Sequence, residues 1–139
     1  LDLPMKLEWG LSEWLNPEWM SKMPETRPKP WLNSFFPSID FTYKSLPPSY
    51  PETEEQCLKR AGETAKFLAE KYPEDLLLVG HGVSIIGMVK GLIPLVNPQE
   101  IHPQLCAVVK LVNQGENWSM KLNGDTSHLQ KIESSPRFY

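Results

Sequence analysis

The chain has 139 residues, of which 40% are hydrophobic and 22% are charged, and its formal net charge is −3. This size and composition are typical of one globular domain or part of one. The weak negative charge gives no electrostatic basis for binding nucleic acid or an anionic membrane. No apolar run approaches the roughly 20 residues that a membrane-spanning helix needs, so we expect neither partner.

Residues 1–52 hold most of the 14 prolines and four of the 5 tryptophans. Proline is unfavourable inside long helices and central strands, whereas abundant aromatic residues argue against disorder. We therefore predict an irregular segment packed on a core, with short helical turns at residues 12–15 and 17–22. The aromatic side chains of Trp31, Phe35 and Phe36 are interpreted as packing over a sheet, and a docking surface is the alternative.

A long helix is predicted at residues 54–71. Thr53 and Gln56 have the spacing of a capping box, and Pro73 ends the helical pattern. Apolar residues follow at helical spacing and predict the buried face: Cys57, Leu58, Ala61, Ala65, Leu68 and Tyr72. Cys57 and Cys106 are both interpreted as buried, reduced thiols of a cytoplasmic protein.

The run of apolar residues at 76–79 predicts a strand buried on both faces, as in a parallel sheet. A second helix is predicted from about residue 84 to residue 92. Residues 106–112 and 118–122 are predicted strands that flank a turn at 114–117. The succession of helix, strand and helix is typical of an α/β fold, with residues 53–139 as its core and residues 1–139 as a single partial domain.

His81 lies where the predicted strand ends and the next helix begins, between Gly80 and Gly82. Ligands of open α/β sheets bind at the carboxyl ends of the strands, and a helix N-terminus attracts phosphate. Glycine lets the backbone approach a ligand closely. This placement favours a hydrogen bond from His81 to a phosphoryl oxygen over the alternative of a histidine that binds a backbone carbonyl.

The segment Leu-Val-Gly-His-Gly-Val-Ser-Ile around His81 resembles the second-histidine motif of the histidine phosphatase (phosphoglycerate mutase-like) superfamily. The segment Lys6–Leu15 is similar to one of its branches, which includes the ecdysteroid-phosphate phosphatases and the suppressors of T-cell receptor signalling. The resemblance extends to about Leu122. It implies a three-layer α/β/α fold of which this chain forms the C-terminal part.

The resemblance also implies roles for particular residues. Glu13 matches the acid that protonates the leaving-group oxygen, with Glu8 as a second choice that is otherwise a solvated surface carboxylate. His81 matches the histidine that binds phosphate, and Gly82 and Val83 would bind the substrate beside it through their amides. Arg60 is interpreted as a structural ion pair and not as a phosphate ligand.

The nucleophile of that superfamily is a histidine in an Arg-His-Gly motif, which this sequence lacks. His102 is interpreted as a surface residue, and His128 has a weak similarity to a C-terminal histidine segment of the same branch. Together with the start at Leu1, this absence indicates a fragment, a domain completed by a second chain that carries the N-terminal half, or a relative without catalysis.

The function that the resemblance implies is phosphomonoester hydrolysis through a phosphohistidine, on a phosphorylated small molecule or phosphoprotein. It requires no cofactor and no metal. The alternatives are an inactive, phosphatase-like interaction module and, less favoured because of the proline-rich insertion after the acid, a mutase that acts on phosphorylated sugar acids.

Overall fold

The structure is a computed structural model that describes residues 3–115 and 117–129. It contains a short 3-10 turn (Trp9–Leu11), three helices, a second 3-10 turn (Pro98–Glu100) and two strands. The helices are α1 (Lys29–Phe35), α2 (Glu54–Lys71) and α3 (Gly82–Leu92), and the strands are β1 (Val108–Asn113) and β2 (Trp118–Asp125). This mixture of helices and strands agrees with the predicted α/β class.

Helix α2 has the predicted bounds, and its first turn forms the predicted capping box. The Gln56 amide donates to Thr53 Oγ1 at 3.2 Å, and the Thr53 amide donates to Gln56 Oε1 at 2.8 Å. These bonds satisfy amides that have no partner within the helix. The inner face of α2 is buried as predicted at Cys57, Ala61, Ala65 and Leu68.

Helices α2 and α3 form the centre of the structure, and glycines line their contact. A Cβ added to Gly91 would lie 2.5 Å from Gly62 Cα, so the two backbones touch where these glycines meet. The adjoining core is a cluster of Leu11, Ala61, Ala65, Leu68 and Met88. Because Leu11 belongs to this cluster, the core also holds the N-terminal loop that carries Glu13.

The segment 76–79 differs from its prediction. It contacts the core through Leu78, but Leu77 is 72% exposed and Val79 is 79% exposed. Within the described ranges it pairs with no other strand, so the prediction of a strand buried on both faces is wrong for this structure. A strand needs a neighbour for its backbone hydrogen bonds, and the local apolar pattern cannot supply one.

Strands β1 and β2 pair only with each other in the described part of the chain, as an antiparallel hairpin. Strand β1 begins two residues later than predicted because Cys106 has a φ of 56°, a left-handed conformation that interrupts extended backbone. At the turn, the Gln114 amide donates to the Asn117 carbonyl at 2.8 Å, as the turn residues predict.

The N-terminal segment is mainly irregular, but it contains helix α1, which the sequence did not predict. Pro30 is compatible with it because proline fits the first turn of a helix, where no amide donor is needed. A turn follows Asn16, whose carbonyl accepts from the Met20 amide at 3.0 Å, whereas no helical turn forms at residues 12–15. None of the helices in residues 3–115 and 117–129 has the length and hydropathy needed to cross a bilayer.

Candidate active site

His81 is the N-cap residue of α3 and has extended backbone, with φ −110° and ψ 167°. Its amide donates to Ser84 Oγ at 2.9 Å. The Ser84 side chain is completely buried, and its oxygen lies 3.0 Å from the His81 carbonyl and 3.3 Å from the Leu11 carbonyl. This hydroxyl therefore connects the start of α3 to the loop that carries Glu13.

Glu13 and His81 lie far apart in the sequence and meet in the structure. His81 Nδ1 lies 3.1 Å from Glu13 Oε2, which is within hydrogen-bonding distance, and the side chains are 54% and 33% exposed. The other carboxylate oxygen of Glu13 accepts from the Trp14 amide at 2.9 Å. The two residues assigned by resemblance thus form one pair that remains accessible to a ligand.

The glycines on the two sides of His81 have different surroundings. A Cβ on Gly80 would lie 2.9 Å from Ser84 Oγ, so packing explains this glycine. A Cβ on Gly82 would meet no atom within 4 Å. Gly82 and Val83 begin α3, and amides in the first turn of a helix have no acceptor within it. Only the second glycine therefore leaves open space beside the helix N-terminus, where an anion would be favoured.

Arg60 forms the ion pair that the sequence predicted. Its Nε and Nη2 atoms each lie 2.7 Å from a different carboxylate oxygen of Glu52, in a bidentate arrangement. The side chains of Arg60 and Glu52 are only 14% and 4% exposed. Burial alone would lower the pKa of Arg60, but the hydrogen bonds to Glu52 and the nearby negative charges together outweigh it and raise the pKa, so the guanidinium stays charged.

Glu8, the second choice for the acid, forms its hydrogen bonds outside the Glu13–His81 pair. Its carboxylate accepts hydrogen bonds from the Tyr43 and Ser45 hydroxyls and, at 2.8 Å, from the Gly10 amide. Burial raises the pKa of Glu8, but these hydrogen bonds lower it by more, to below the ordinary value of 4.5. The interpretation of Glu8 as a solvated surface carboxylate is therefore wrong, because it anchors the segment that contains Tyr43 and Ser45.

The remaining histidines and the cysteines lie outside this pair. His102 is exposed, as predicted, and His128 is exposed as well. Cys57 is fully buried, and its burial raises the pKa of its thiol to about 11. Cys106 is exposed, so the prediction of two buried thiols is wrong for this residue. It lies in the turn before β1 and has a left-handed backbone conformation.

Two surface depressions lie near the site without including His81. One of about 320 Å³ is lined by Trp14 and Pro51, and one of about 430 Å³ is lined by Glu8 and Phe67. Across residues 3–115 and 117–129, no three His, Cys, Asp or Glu side chains are grouped so that they could hold a metal ion. The Glu13–His81 pair lies outside both depressions, and its side chains are partly exposed.

Two residues that organise the site were not singled out from the sequence. Glu52 precedes the helix cap and carries no recognisable spacing signal, because its partners come from distant segments. Ser84 had a usable signal, since it is a hydroxyl residue in the otherwise apolar helix α3. A buried hydroxyl requires hydrogen-bond partners, and this requirement could have indicated its role.

The family model for the histidine phosphatase superfamily (branch 1) matches residues 1–126. The chain belongs to the histidine phosphatase superfamily. Its helices and small antiparallel sheet are consistent with the α/β fold of this superfamily, and membership supports a phosphatase-type function. No curated protein and no solved structure gives a significant match to the chain.

Proposed function

We propose that Glu13 and His81 are the general acid and the phosphate-binding imidazole of a phosphomonoesterase. The observation that carries this proposal is the distance of 3.1 Å between Glu13 Oε2 and His81 Nδ1 on an accessible face at the start of α3. Membership of the histidine phosphatase superfamily supports the same type of reaction.

The proposed reaction has two steps. In the first, a histidine nucleophile attacks phosphorus, the bond to the ester oxygen breaks, and Glu13 donates its proton to that oxygen. In the second, water attacks the phosphohistidine, Glu13 takes a proton from the water, and phosphate and free histidine are released. His81 donates a hydrogen bond to a phosphoryl oxygen in both steps, and the Gly82 and Val83 amides assist it.

The nucleophile of this reaction must come from outside the present sequence, which has no Arg-His-Gly motif. We propose that an N-terminal half, upstream or on another chain, supplies it. The apolar segment 76–79 supports this, because Leu77 and Val79 are exposed and the segment has no strand partner within the described residues. A neighbouring strand would cover these side chains and satisfy the backbone.

For the substrate we propose a phosphorylated small molecule or a phosphoprotein. The similarity of Lys6–Leu15 to the branch of the ecdysteroid-phosphate phosphatases and the suppressors of T-cell receptor signalling supports this proposal. Mutase activity is less favoured, because the long proline-rich insertion after Glu13 resembles the phosphatase branch.

The test uses the full-length protein that contains this chain, with p-nitrophenyl phosphate and phenyl phosphate as substrates. His81→Ala should lower kcat/KM about 10²–10³-fold on both. Glu13→Gln should cost more on phenyl phosphate, because phenolate is the poorer leaving group and needs the proton more. His102→Ala is the matched control for removing an exposed imidazole and should retain activity. If Glu13→Gln affects both substrates equally, Glu13 is not the acid.

One observation favours a second function, that of a non-catalytic interaction module. Trp31 and Phe35 form an aromatic pair with ring centroids 4.6 Å apart, and Phe36 lies 6.5 Å from Phe35. These side chains are 43%, 63% and 47% exposed, so the interpretation that they pack over a sheet is wrong for this structure. If the full-length protein is folded and hydrolyses neither substrate, the result would favour the interaction module.

A further inference from the structure

The loop that carries Glu13 has little regular structure of its own. Only residues Trp9–Leu11 form a 3-10 turn, and the next residues are irregular. A loop of this kind keeps a fixed shape only if its backbone polar groups find partners elsewhere. In this protein, one buried ion pair supplies many of those partners.

The Arg60 side chain binds the carbonyls of this loop. Its Nη1 atom donates to the carbonyls of Trp9, Gly10 and Ser12 at 3.3, 3.0 and 3.3 Å. Its Nη2 atom donates to the carbonyl of Glu13 itself at 3.2 Å. The guanidinium therefore binds carbonyls within the turn and immediately after it, and its donors are occupied within the protein.

Glu52 holds the other side of the same loop. Its amide donates to the Leu15 carbonyl at 3.0 Å, and its Oε2 atom accepts from the Leu15 amide at 3.3 Å. Its carbonyl accepts from Trp14 Nε1 at 2.8 Å. Arg60 thus binds backbone carbonyls up to Glu13, and Glu52 binds the indole of Trp14 and the backbone of Leu15. The two residues also bind each other through two hydrogen bonds.

We propose that the Glu52–Arg60 pair is a positioning element that holds the Glu13 carboxylate at hydrogen-bonding distance from His81. This inference rests on the proposed function, because it assigns the pair to the same acid. Arg60 acts through the loop and not on the substrate. A displacement of about 1 Å at a reacting group can cost about 10²-fold in rate, so a firmly held loop has a direct consequence for catalysis.

The decisive variant is Arg60→Lys, which keeps the positive charge but loses the planar fork that reaches Glu52 and several carbonyls together. Glu52→Gln is a second, nearly isosteric variant that is gentler on folding. Lys59→Ala is the matched surface control, since Lys59 lies on the same helix, is 74% exposed and lies 3.9 Å from the exposed Glu63. Ile101→Ala is the control for lost stability, because Ile101 is buried outside the core cluster around Leu11.

The first measurement uses the full-length protein with phenyl phosphate. Arg60→Lys and Glu52→Gln should lower kcat about 10–100-fold with little change in KM, because a displaced acid weakens the transition state and not substrate binding. Lys59→Ala and Ile101→Ala should keep kcat. If Arg60→Lys keeps kcat, or if Ile101→Ala loses it equally, the positioning role is wrong while the proposed function stands.

The second measurement also uses the full-length protein and needs no enzymatic activity. The ¹⁵N signal of His81 Nδ1 should show a protonated nitrogen bonded to Glu13 in the wild type and in both controls, and should lose this signature in Arg60→Lys. Hydrogen exchange at the amides of residues 9–14 should accelerate about tenfold in the same variant. If Arg60→Lys leaves both the ¹⁵N signal and the exchange rates unchanged, the positioning role is wrong, whether or not the wild type is active. A wild type that hydrolyses no ester refutes only the proposed function.

Discussion

Substituting Gly87 by alanine tests the packing of α2 against α3. Inside a helix, glycine is less favourable than alanine by about 0.5–1 kcal/mol, so helix propensity alone predicts a gain in stability. The structure predicts the opposite sign. A Cβ at residue 87 would lie 2.6 Å from the Leu58 carbonyl oxygen and 2.9 Å from Ala61 Cβ, closer than such atoms approach in proteins.

The obstructing atoms are backbone and a short side chain of α2, so a rotamer change cannot relieve the clash and the helices must separate. Overpacking of this kind costs about 1–3 kcal/mol. After the gain of about 0.5–1 kcal/mol in helix propensity, Gly87→Ala should lose about 0–2.5 kcal/mol of stability, with a central value of about 1 kcal/mol. With this central value and a urea m-value of about 1–3 kcal/mol/M, the unfolding midpoint should fall by about 0.3–1 M.

The assay is urea unfolding followed by circular dichroism at a helical wavelength. Gly82→Ala is the matched control, because it lies on the same helix and its Cβ would meet no atom within 4 Å. Its midpoint should equal or exceed that of the wild type. A midpoint for Gly87→Ala above that of the wild type would mean that α2 and α3 do not pack as described, and the reasoning would fail.

Two further predictions concern titratable groups. The lowered pKa of Glu8 means that its ionised form stabilises the fold above its ordinary pKa of 4.5, and that this contribution is lost as the pH falls through the lower folded value. The urea midpoint of Glu8→Gln should therefore lie below that of the wild type at pH 7 and should fall less between pH 5 and pH 3. Midpoints that run parallel over this pH range would contradict the prediction. At pH 8, iodoacetamide should modify the exposed Cys106, whereas Cys57, buried and with a pKa of about 11, should react only after unfolding. Peptide mass spectrometry distinguishes the two sites, and equal rates would contradict the burial of Cys57.

Local features of the sequence were sufficient to predict most of the regular structure. The capping residues Thr53 and Gln56 and the helical spacing that follows them predicted α2 with its observed bounds. The turn residues 114–117 predicted the hairpin, although Cys106 and the end of β2 shifted its limits. Such signals depend on interactions between residues only a few positions apart, which the sequence displays directly.

The candidate site was accessible from the sequence only in part. The residues around His81 and Glu13 indicated a phosphate site through their resemblance to a family, and the arginine at residue 60 was correctly interpreted as a structural ion pair. The identity of its partner, Glu52, and the group of loop carbonyls that it binds were not predictable. Their contacts join segments that are remote in sequence, and no periodicity or motif records them.

The amino-acid sequence by itself determined where α2, α3 and the hairpin form, because caps, turns and apolar spacing act over short distances. Only the tertiary structure decided that Glu13 meets His81 at 3.1 Å and that Glu52 and Arg60 bind the loop that carries Glu13. It also decided that the apolar segment 76–79 has no strand partner in the described residues. The physical reason is the same in each case: an ion pair, a loop contact or a strand ladder exists only when a distant segment supplies the second partner.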